Sequence, residues 1–455
     1  SQAELVSAMP KAGGDYFYVK RTMGPAMGAV SGLVTWLSLT LKSAFALVGM
    51  AAFSVYIIDL DVRVIAIALC AVFVIINLIG IKEAAKVQVA LVVGLLVALA
   101  FYIIRGAPAV TVENLAPFSP FGLRAILSTT GFVFVSYGGL LKVASIAEEV
   151  RDPGRVVPLG MILSLLVVGL LYVAVVFVTA GVMDDRLLNV SITPISDGAA
   201  VFMGNSGRTI FGIAAMFAFI STANAGIMAA SRYPLALSRD GLLPGHLGNI
   251  NARFKTPHVS ILLTGIVMSI FLFLKVDTLV KAASAVMILT YSFSCLSIII
   301  LRESRIQNYQ PVFRAPLYPW VQIAGIGGSI FLLLEMGREA LATAAAALLC
   351  GFIIYWVYGR IRSGREFALL HIIERITAKE LTTRSLESEL KEIIRERDEI
   401  VKDRFDRLIE KAIVMDMAGP LKAAEFFAIA ADEMAGRLGV EKAIMMKLLH
   451  DREKD

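Results

Sequence analysis

The chain has 455 residues, of which 57% are hydrophobic and 18% are charged, and its formal net charge is +6. An ordinary soluble domain has about 45 to 50% apolar and about 25% charged residues, so the composition excludes that class and predicts an all-α polytopic membrane protein. The three cysteines lie in separate apolar runs without disulfide or metal-ligand spacing, and the sequence has no phosphate-binding glycine loop of an ATPase, so we expect neither a metal nor a cofactor.

Apolar runs of about 18 residues or more predict ten membrane-spanning helices. They cover residues 27–53, 62–80, 86–105, 122–147, 156–182, 208–236, 258–274, 279–301, 319–337 and 341–358. Residues 183–207, which contain Gly, Pro, Asn and Asp, are predicted to form a loop between two spans.

The first span carries Trp36, a candidate substrate-binding residue, and Lys42. A charge near the membrane centre costs about 2.5 to 3.5 kcal/mol on insertion scales, so Lys42 should face a cavity or a partner. One interpretation is a fixed charge that replaces a bound cation or titrates during transport. The alternative is a structural lysine capped by the carbonyl groups of a broken helix.

The fourth span is interrupted by polar residues and glycines and then carries Lys142. The interruption consists of Ser136, Tyr137, Gly138 and Gly139. Each glycine costs about 1 kcal/mol of helix stability relative to alanine, and non-helical backbone inside a bilayer survives only where it is buried in protein or lines a cavity. The pattern therefore predicts a discontinuous helix and a candidate substrate site. The alternative is a tight helix crossing that needs small residues.

The sixth span carries Ser221, Thr222 and Asn224, whose side chains could bind Na⁺ or line a substrate path. Ordinary hydrogen bonds between helices are the alternative interpretation. Asn77, the polar residue of the second span, is also predicted to form such a bond.

Three stretches resemble motifs of the amino acid, polyamine and organocation (APC) transporter superfamily. Residues 147–158 read A-E-E-V-R-D-P-G-R-V-V-P, similar to the A-E-E-V-x-x-P-x-R-x-x-P that follows the family's sixth helix. Residues 231–244 read S-R-Y-P-L-A-L-S-R-D-G-L-L-P, similar to the S-R-x-x-x-A-x-A-R-D-G-x-L-P after its eighth helix. Residues 3–18 contain A-E-L and P-K-A-G-G-D-Y-F-Y, like the motif after its second helix.

The resemblance implies a LeuT-like inverted-repeat transporter fold over residues 1–359. Members have about twelve spans, so the ten predicted here imply a fragment that lacks the first helix and most of the second. The resemblance also identifies cytoplasmic loop motifs, of which the second is interpreted as a loop brace and inner-gate element. Their residues are Glu148, Glu149, Pro153 and Arg155 in one loop and Arg239, Asp240 and Gly241 in the other.

Proton-coupled relatives carry a lysine partway along the span at 86–105, but from Val89 to Ile104 this chain has only apolar residues and Gly94. Lys42 or Lys142 would therefore have to take that role if protons drive transport. The predicted spans contain no acid apart from Glu335 near the end of the span at 319–337, which favours a neutral or carboxylate-bearing substrate over a polyamine. The alternative is that the lysines pair with residues of the missing first helix.

Basic residues are concentrated in the loops of one side, which the positive-inside rule makes cytoplasmic, together with everything after residue 359. Residues 360–418 are predicted to form a charged helical linker. Residues 419–455 resemble the start of a fructose- or mannitol-type phosphotransferase-system IIA domain. In that family the phosphorylated histidine comes later, so none is assigned here.

The sequence and the resemblance together predict a secondary transporter that moves amino acids across the plasma membrane by alternating access, coupled to H⁺ or Na⁺. The alternatives are an amino-acid exchanger and a solute-sensing membrane receptor. A phosphoryl relay centred on the C-terminal region is a further rival, but we expect no enzymatic activity. The expected partners are the amino acid, the coupling ion and the lipid bilayer, not nucleic acid, and the last two spans are candidates for a homodimer surface.

Overall fold

The computed structural model describes residues 1–10, 13–54, 60–80, 84–117, 119–145, 147, 150–304, 309–359 and 368–369. All of them belong to the first of two compact units, Ser1–Ile373. The predictions for Glu148, Glu149 and the segment 419–455 lie outside the described residues, as does the linker at 360–418 except for two residues.

The described residues form helices and connecting segments, with no strand among them. The α-helices are α1 (Gln2–Ala8), α2 (Gly14–Met23), α3 (Pro25–Ser54), α4 (Val62–Ile79), α5 (Ala84–Gly106), α6 (Gly122–Val133), α7 (Gly139–Ser145), α8 (Pro153–Val182), α9 (Asp185–Val190), α10 (Pro194–Arg239), α11 (His258–Phe271), α12 (Val276–Ser304), α13 (Trp320–Glu335) and α14 (Arg338–Ile354). A π-helical turn, Tyr355–Gly359, follows α14.

Each of the ten predicted spans falls on an apolar helix or pair of helices. Within the described residues, eight segments are long and apolar enough to cross a membrane. Helices α11 and α13 are shorter, with 14 and 16 residues. The sequence-based prediction made these two spans too long because it included apolar turn residues that flank the helices, such as 272–274 after α11.

The prediction of a loop over residues 183–207 is wrong, because this stretch holds α9 and the beginning of α10. Pro194 begins α10, and a carboxylate in its first turn, Asp197, favours a helix N-terminus. Asp197 also receives two hydrogen bonds from Arg208, at 3.0 and 2.6 Å. Gly204 has a non-helical backbone (φ 65°, ψ −156°) and separates this outer part from the long remainder of α10.

Helices α3 and α12 form the centre of the bundle. About 72% of the apolar window of α3 and 61% of that of α12 are buried, against 17% for α8. Helix α8 instead exposes large apolar side chains, among them Leu166, Leu170 and Val173. Apolar side chains in that position suit a lipid-facing surface, so α8 lies at the periphery and α3 and α12 position the interior groups.

A buried ion pair joins α1 to the end of α12. Glu4 is fully buried and receives hydrogen bonds from Arg302 at 2.9 and 2.7 Å. The same carboxylate accepts from the Tyr309 hydroxyl at 2.9 Å and from the Ala315 N–H at 2.7 Å. Four donors on one carboxylate satisfy its hydrogen-bonding capacity and tie the segment after α12 to α1.

We predict that Glu4→Ala lowers the free energy of unfolding by about 3 kcal/mol, because it leaves the Arg302 guanidinium largely buried without its bidentate partner. The measurement is the melting temperature of the detergent-solubilised protein. The matched control is Glu113→Ala in the exposed turn Val112–Leu115. Equal melting temperatures for the two variants would show that the ion pair contributes nothing.

Candidate functional site

The fourth predicted span is broken into two helices. Helix α6 ends at Val133, a 3₁₀ turn covers Phe134–Tyr137, and α7 begins at Gly139. The sequence predicted the break from Ser136 onward, and the structure begins it two residues earlier. The predicted site residues Ser136, Tyr137, Gly138 and Gly139 all lie in this turn or directly after it.

Two hydroxyl groups of α12 satisfy backbone groups that the break releases. Ser284 Oγ donates to the Phe132 carbonyl oxygen at 2.8 Å and accepts from the Val135 N–H at 3.0 Å. The Tyr291 hydroxyl donates to the Tyr137 carbonyl oxygen at 3.2 Å. Because non-helical backbone at membrane depth requires such internal partners, α12 holds the break in position.

The ammonium group of Lys42 in α3 lies beside the break. A methyl group added to Gly138 would lie 3.1 Å from Lys42 Nζ and 2.5 Å from Met287 Sδ, so a residue larger than glycine would push against both. Within the described part of the chain, the ammonium group has neither a hydrogen bond nor an ion pair. Lys42 therefore brings a basic amino group, without a partner among the described residues, to the break.

Lys142, in the half-helix after the break, is held against α10. Its Nζ donates to the Thr222 carbonyl oxygen at 3.1 Å. A methyl group added to Gly226 would overlap the Ser43 hydroxyl, so α3 and α10 approach closely here. The ammonium groups of Lys142 and Lys42 are near enough for their charges to repel each other.

The break, α3 and α10 thus bring two positive charges together without a carboxylate partner. None of the ion pairs found among the described residues includes Lys42 or Lys142. Like charges at short range raise the energy of the site unless an anion binds between or beside them. The arrangement can therefore bind a negatively charged group, such as a carboxylate.

The polar residues predicted on α10 have different surroundings. The backbone carbonyl of Thr222 holds Lys142, and the Asn224 side-chain oxygen accepts from the Asn77 amide at 2.8 Å. The bond to Asn77 is the interhelical bond that the sequence predicted for that residue. Ser221 is partly buried in the adjacent turn. Asn224 therefore connects helices α10 and α4.

The Trp36 side chain lies in the interior of the helical bundle. Its side chain is 8% exposed, and its indole N–H donates to the Thr264 hydroxyl at 3.1 Å. This bond links α3 to α11. In this structure Trp36 therefore acts first as a packing residue that fixes the helix carrying Lys42.

A cavity of about 340 Å³ lies beside α6, next to the break. Its lining residues are Ser128, Thr129, Phe132, Asp277, Lys281 and Met336. Lys281 is paired with Asp277 at 2.7 Å and with Glu339 at 3.6 Å. Since the Phe132 carbonyl oxygen is one of the break's backbone acceptors, the cavity approaches the break from the α6 side.

The described residues of the two predicted loop motifs lie at helix ends rather than at the break. Pro153 is the first residue of α8, and the Arg155 side chain is exposed. Asp240 follows α10, pairs with Lys20 at 2.7 Å and accepts a short hydrogen bond from the Tyr16 hydroxyl.

Arg239 is exposed, and Gly241 adopts the left-handed conformation (φ 74°) that favours glycine. The contacts of Asp240 with two residues of α2 give the second motif the geometry of a loop brace.

The site residues predicted from the sequence did not include those that support the break. Ser284 and Tyr291 hold the break, and Ser43 packs against Gly226. Hydroxyl side chains within a long apolar helix were the available signal, but such residues commonly bond within their own helix. Which hydroxyl reaches another helix depends on the packing.

We predict that Ser284→Ala destabilises the break by about 1 to 3 kcal/mol, because two backbone groups lose their partner. The expected result is a lower melting temperature together with faster hydrogen exchange at residues 132–138. Ser292→Ala on the same helix is the control, since its hydroxyl bonds to the Ile288 carbonyl oxygen of its own helix at 2.9 Å. Unchanged exchange in Ser284→Ala would contradict the assignment.

Comparison with known proteins places the chain among permeases. The profile of the amino acid permease family matches residues 1–368. The methylthioribose transporter of Bacillus subtilis is 30% identical over 286 residues, 62% of this chain and 61% of that protein. The branched-chain amino acid permease BcaP of Bacillus subtilis is 27% identical over 391 residues, 80% of this chain and 83% of that protein. The mitochondrial cationic amino acid transporter 3 of Arabidopsis thaliana is 27% identical over 325 residues, 66% of this chain and 53% of that protein.

The family match covers most of the chain and ends at residue 368. The chain spans less than two thirds of the methylthioribose transporter and of the Arabidopsis protein. The apolar helices and the family match agree on a multi-pass membrane protein. The chain belongs to the amino acid permease family of the APC superfamily.

Proposed function

We propose that the chain is the membrane domain of a LeuT-like secondary transporter that moves amino acids by alternating access. The observation that carries the proposal is the interrupted helix whose freed backbone is held by α12 while Lys42 and Lys142 face it without acidic partners. Discontinuous helices of this kind form the substrate sites of inverted-repeat transporters near the membrane midplane. The membership of the permease family agrees with this use.

The charge balance of the site indicates the class of substrate. An amino acid brings a carboxylate, which compensates one of the two ammonium groups and lowers the cost of keeping them away from water. A polyamine or a cationic amino acid brings further positive charge to the same place. We therefore expect a neutral or acidic amino acid rather than a cationic one.

The walls near Lys42 favour a neutral, apolar side chain. Met287 lies against Gly138, and Phe134 stacks edge-on against Tyr291 with ring centres 5.7 Å apart. Apolar and aromatic walls with a few oriented polar groups are typical of small-molecule sites. Branched-chain amino acids are the first candidates, in line with the name of BcaP, the relative that covers the largest share of the chain among those compared.

We place the end of the bundle that carries Lys20, Arg155 and Arg239 in the cytoplasm by the positive-inside rule. The broken helix then runs from the outer to the inner side of the plasma membrane, and the cavity beside α6 faces outward. The loop brace of Asp240 on α2 lies at the inner end. We expect the contact between Asp240 and α2 to break when the transporter opens to the cytoplasm and to form again when it closes.

The test is uptake of labelled leucine, glutamate and lysine into proteoliposomes that contain the protein expressed from its complete reading frame. We expect saturable accumulation of leucine, driven by an imposed H⁺ or Na⁺ gradient, and little uptake of lysine. Exchange without gradient-driven accumulation would replace the proposal with an exchanger. Binding of amino acids without any flux would replace it with a receptor.

We further predict that Lys42→Gln raises the KM for the best substrate about tenfold, since loss of one charge-assisted hydrogen bond costs about 1.5 kcal/mol or more. The variant should also lose its preference for the amino acid over the corresponding amide in competition assays, because the amide has no carboxylate. Lys275→Gln is the control, as that lysine is exposed in the segment before α12. An unchanged preference in Lys42→Gln would contradict the role of Lys42.

A further inference from the structure

A second buried polar cluster lies away from the break, around Asp15 in the first turn of α2. The Asp15 side chain is fully buried. Its Oδ1 accepts from the Gln2 amide at 2.7 Å and from the Ser294 hydroxyl at 2.8 Å. Its Oδ2 has no hydrogen-bond partner within the described parts of the chain. A buried carboxylate oxygen without a donor is costly, so the charged form of Asp15 is poorly stabilised here.

The cluster around Asp15 has more acceptor atoms than hydrogen atoms to donate to them. The Ser294 hydroxyl has one hydrogen but lies within bonding distance of Asp15 Oδ1, the Gln2 side-chain oxygen at 2.9 Å and the Thr290 carbonyl oxygen at 3.2 Å. A proton on Asp15 Oδ2 would remove the buried charge while Oδ1 still accepts from Gln2 and Ser294. The geometry therefore suits the protonated acid better than the carboxylate.

The groups that face Asp15, from its own helix and from neighbouring helices, carry no charge near neutral pH. They are Tyr18 from α2, Gln2 from α1, Tyr233 from α10, and Ser294 and Tyr291 from α12. The hydroxyl groups of Tyr18 and Tyr233 also have no hydrogen-bond partner among the described residues.

Helix α3, which packs against α2, carries Lys42, whose ammonium group lies beside Gly138 of the break. Four further charged side chains of the helices around Asp15 have partners of their own. On α7, the ammonium group of Lys142 is bonded to the Thr222 carbonyl oxygen. Lys20 of α2 pairs with Asp240, and the second carboxylate of α1, Glu4, pairs with Arg302 of α12. Burial raises the pKa of Asp15 to about 6, although the hydrogen bonds from Ser294 and Gln2 act in the opposite direction. The carboxyl group is therefore protonated below about pH 6 and ionised above it.

Asp15 is connected to the candidate substrate site at two points. The turn before it packs on the end of α7, because a methyl group added to Gly14 would lie 3.4 Å from backbone atoms of Ala144 and Ser145. Tyr291 interacts electrostatically with Asp15, and its hydroxyl donates to the Tyr137 carbonyl oxygen in the break. A change in the charge of Asp15 would therefore act on both ends of the half-helix α7.

We propose that Asp15 is the proton-binding residue that couples this permease to a proton gradient. In the step, Oδ2 forms an O–H bond with an incoming proton while α1, α2, α7 and α12 are packed together, and the same bond breaks when the inner end opens to water. Hydration stabilises the carboxylate, so opening releases the proton to the side that the end faces. The proposal rests on the function proposed above and assigns coupling to Asp15 in place of Lys42 or Lys142.

The first test compares Asp15→Asn with the wild type and with Asp185→Asn, a change at an exposed aspartate in the first turn of α9. For one proton per substrate, a gradient of one pH unit supports about tenfold accumulation of the amino acid. We expect about this ratio for the wild type and Asp185→Asn. Asp15→Asn should not accumulate the amino acid in response to the pH gradient, but it should still exchange internal for external substrate. Wild-type accumulation by Asp15→Asn would overturn the proposal.

A second measurement does not depend on transport. Infrared difference spectra of the purified protein, recorded below and above the Asp15 pKa of about 6, should show a protonated carboxyl band that Asp15→Asn lacks and Asp185→Asn keeps. Ser294→Ala removes a hydrogen bond that favours the carboxylate, so it should move the midpoint of this band to higher pH. The same band and midpoint in all variants would refute proton binding at Asp15. Failure of the wild type to transport any amino acid would instead refute the proposed function.

Discussion

The broken helix requires hydrogen-bond partners for its backbone, and the arrangement of the surrounding helices meets this requirement. An unpartnered backbone group in the membrane interior costs several kcal/mol, so the turn at Phe134–Tyr137 exists only because a neighbouring helix bonds to it. Helix α12 does so through Ser284 and Tyr291, whose hydroxyl groups reach both ends of the turn. This explains why α12 is among the most buried helices and why the break can be both irregular and fixed.

Small residues allow the helices that carry the two lysines to pack closely at the break. Glycines at 138 and 226 let α3 pass close to the broken helix and to α10, and this approach places Lys42 and Lys142 near each other. The cost of two buried ammonium groups is hard to explain by packing alone, since a neutral side chain would fill the same space more cheaply. Under the proposed function, the carboxylate of the substrate offsets that cost, which links the two lysines to the substrate class.

The sequence was sufficient to predict features that depend only on a residue's type and its neighbours along the chain. A glycine pair weakens a helix and a lysine in an apolar run is costly, so the break could be inferred without a structure and Lys42 could be singled out as a candidate. The partners could not be inferred, because Ser284 lies about 150 residues from the backbone it bonds. Asp15 follows a glycine pair, and its burial depends on residues distant in the sequence, such as Gln2 of α1 and Ser294 of α12. The segment 183–207 was predicted as a loop because it contains Gly, Pro, Asn and Asp. Composition does not show the hydrogen bond from Arg208 to Asp197 that stabilises the helix there.

The central claim is that the substrate occupies the break, and protection of a cysteine from chemical modification tests it most directly. Ser136 is exposed in the 3₁₀ turn, so Ser136→Cys, in a variant whose native cysteines Cys70, Cys295 and Cys350 are replaced, should react with a membrane-impermeant maleimide. The account predicts that a saturating transported amino acid slows this reaction and that a non-transported one does not. Equal reaction rates with and without the transported amino acid would contradict it.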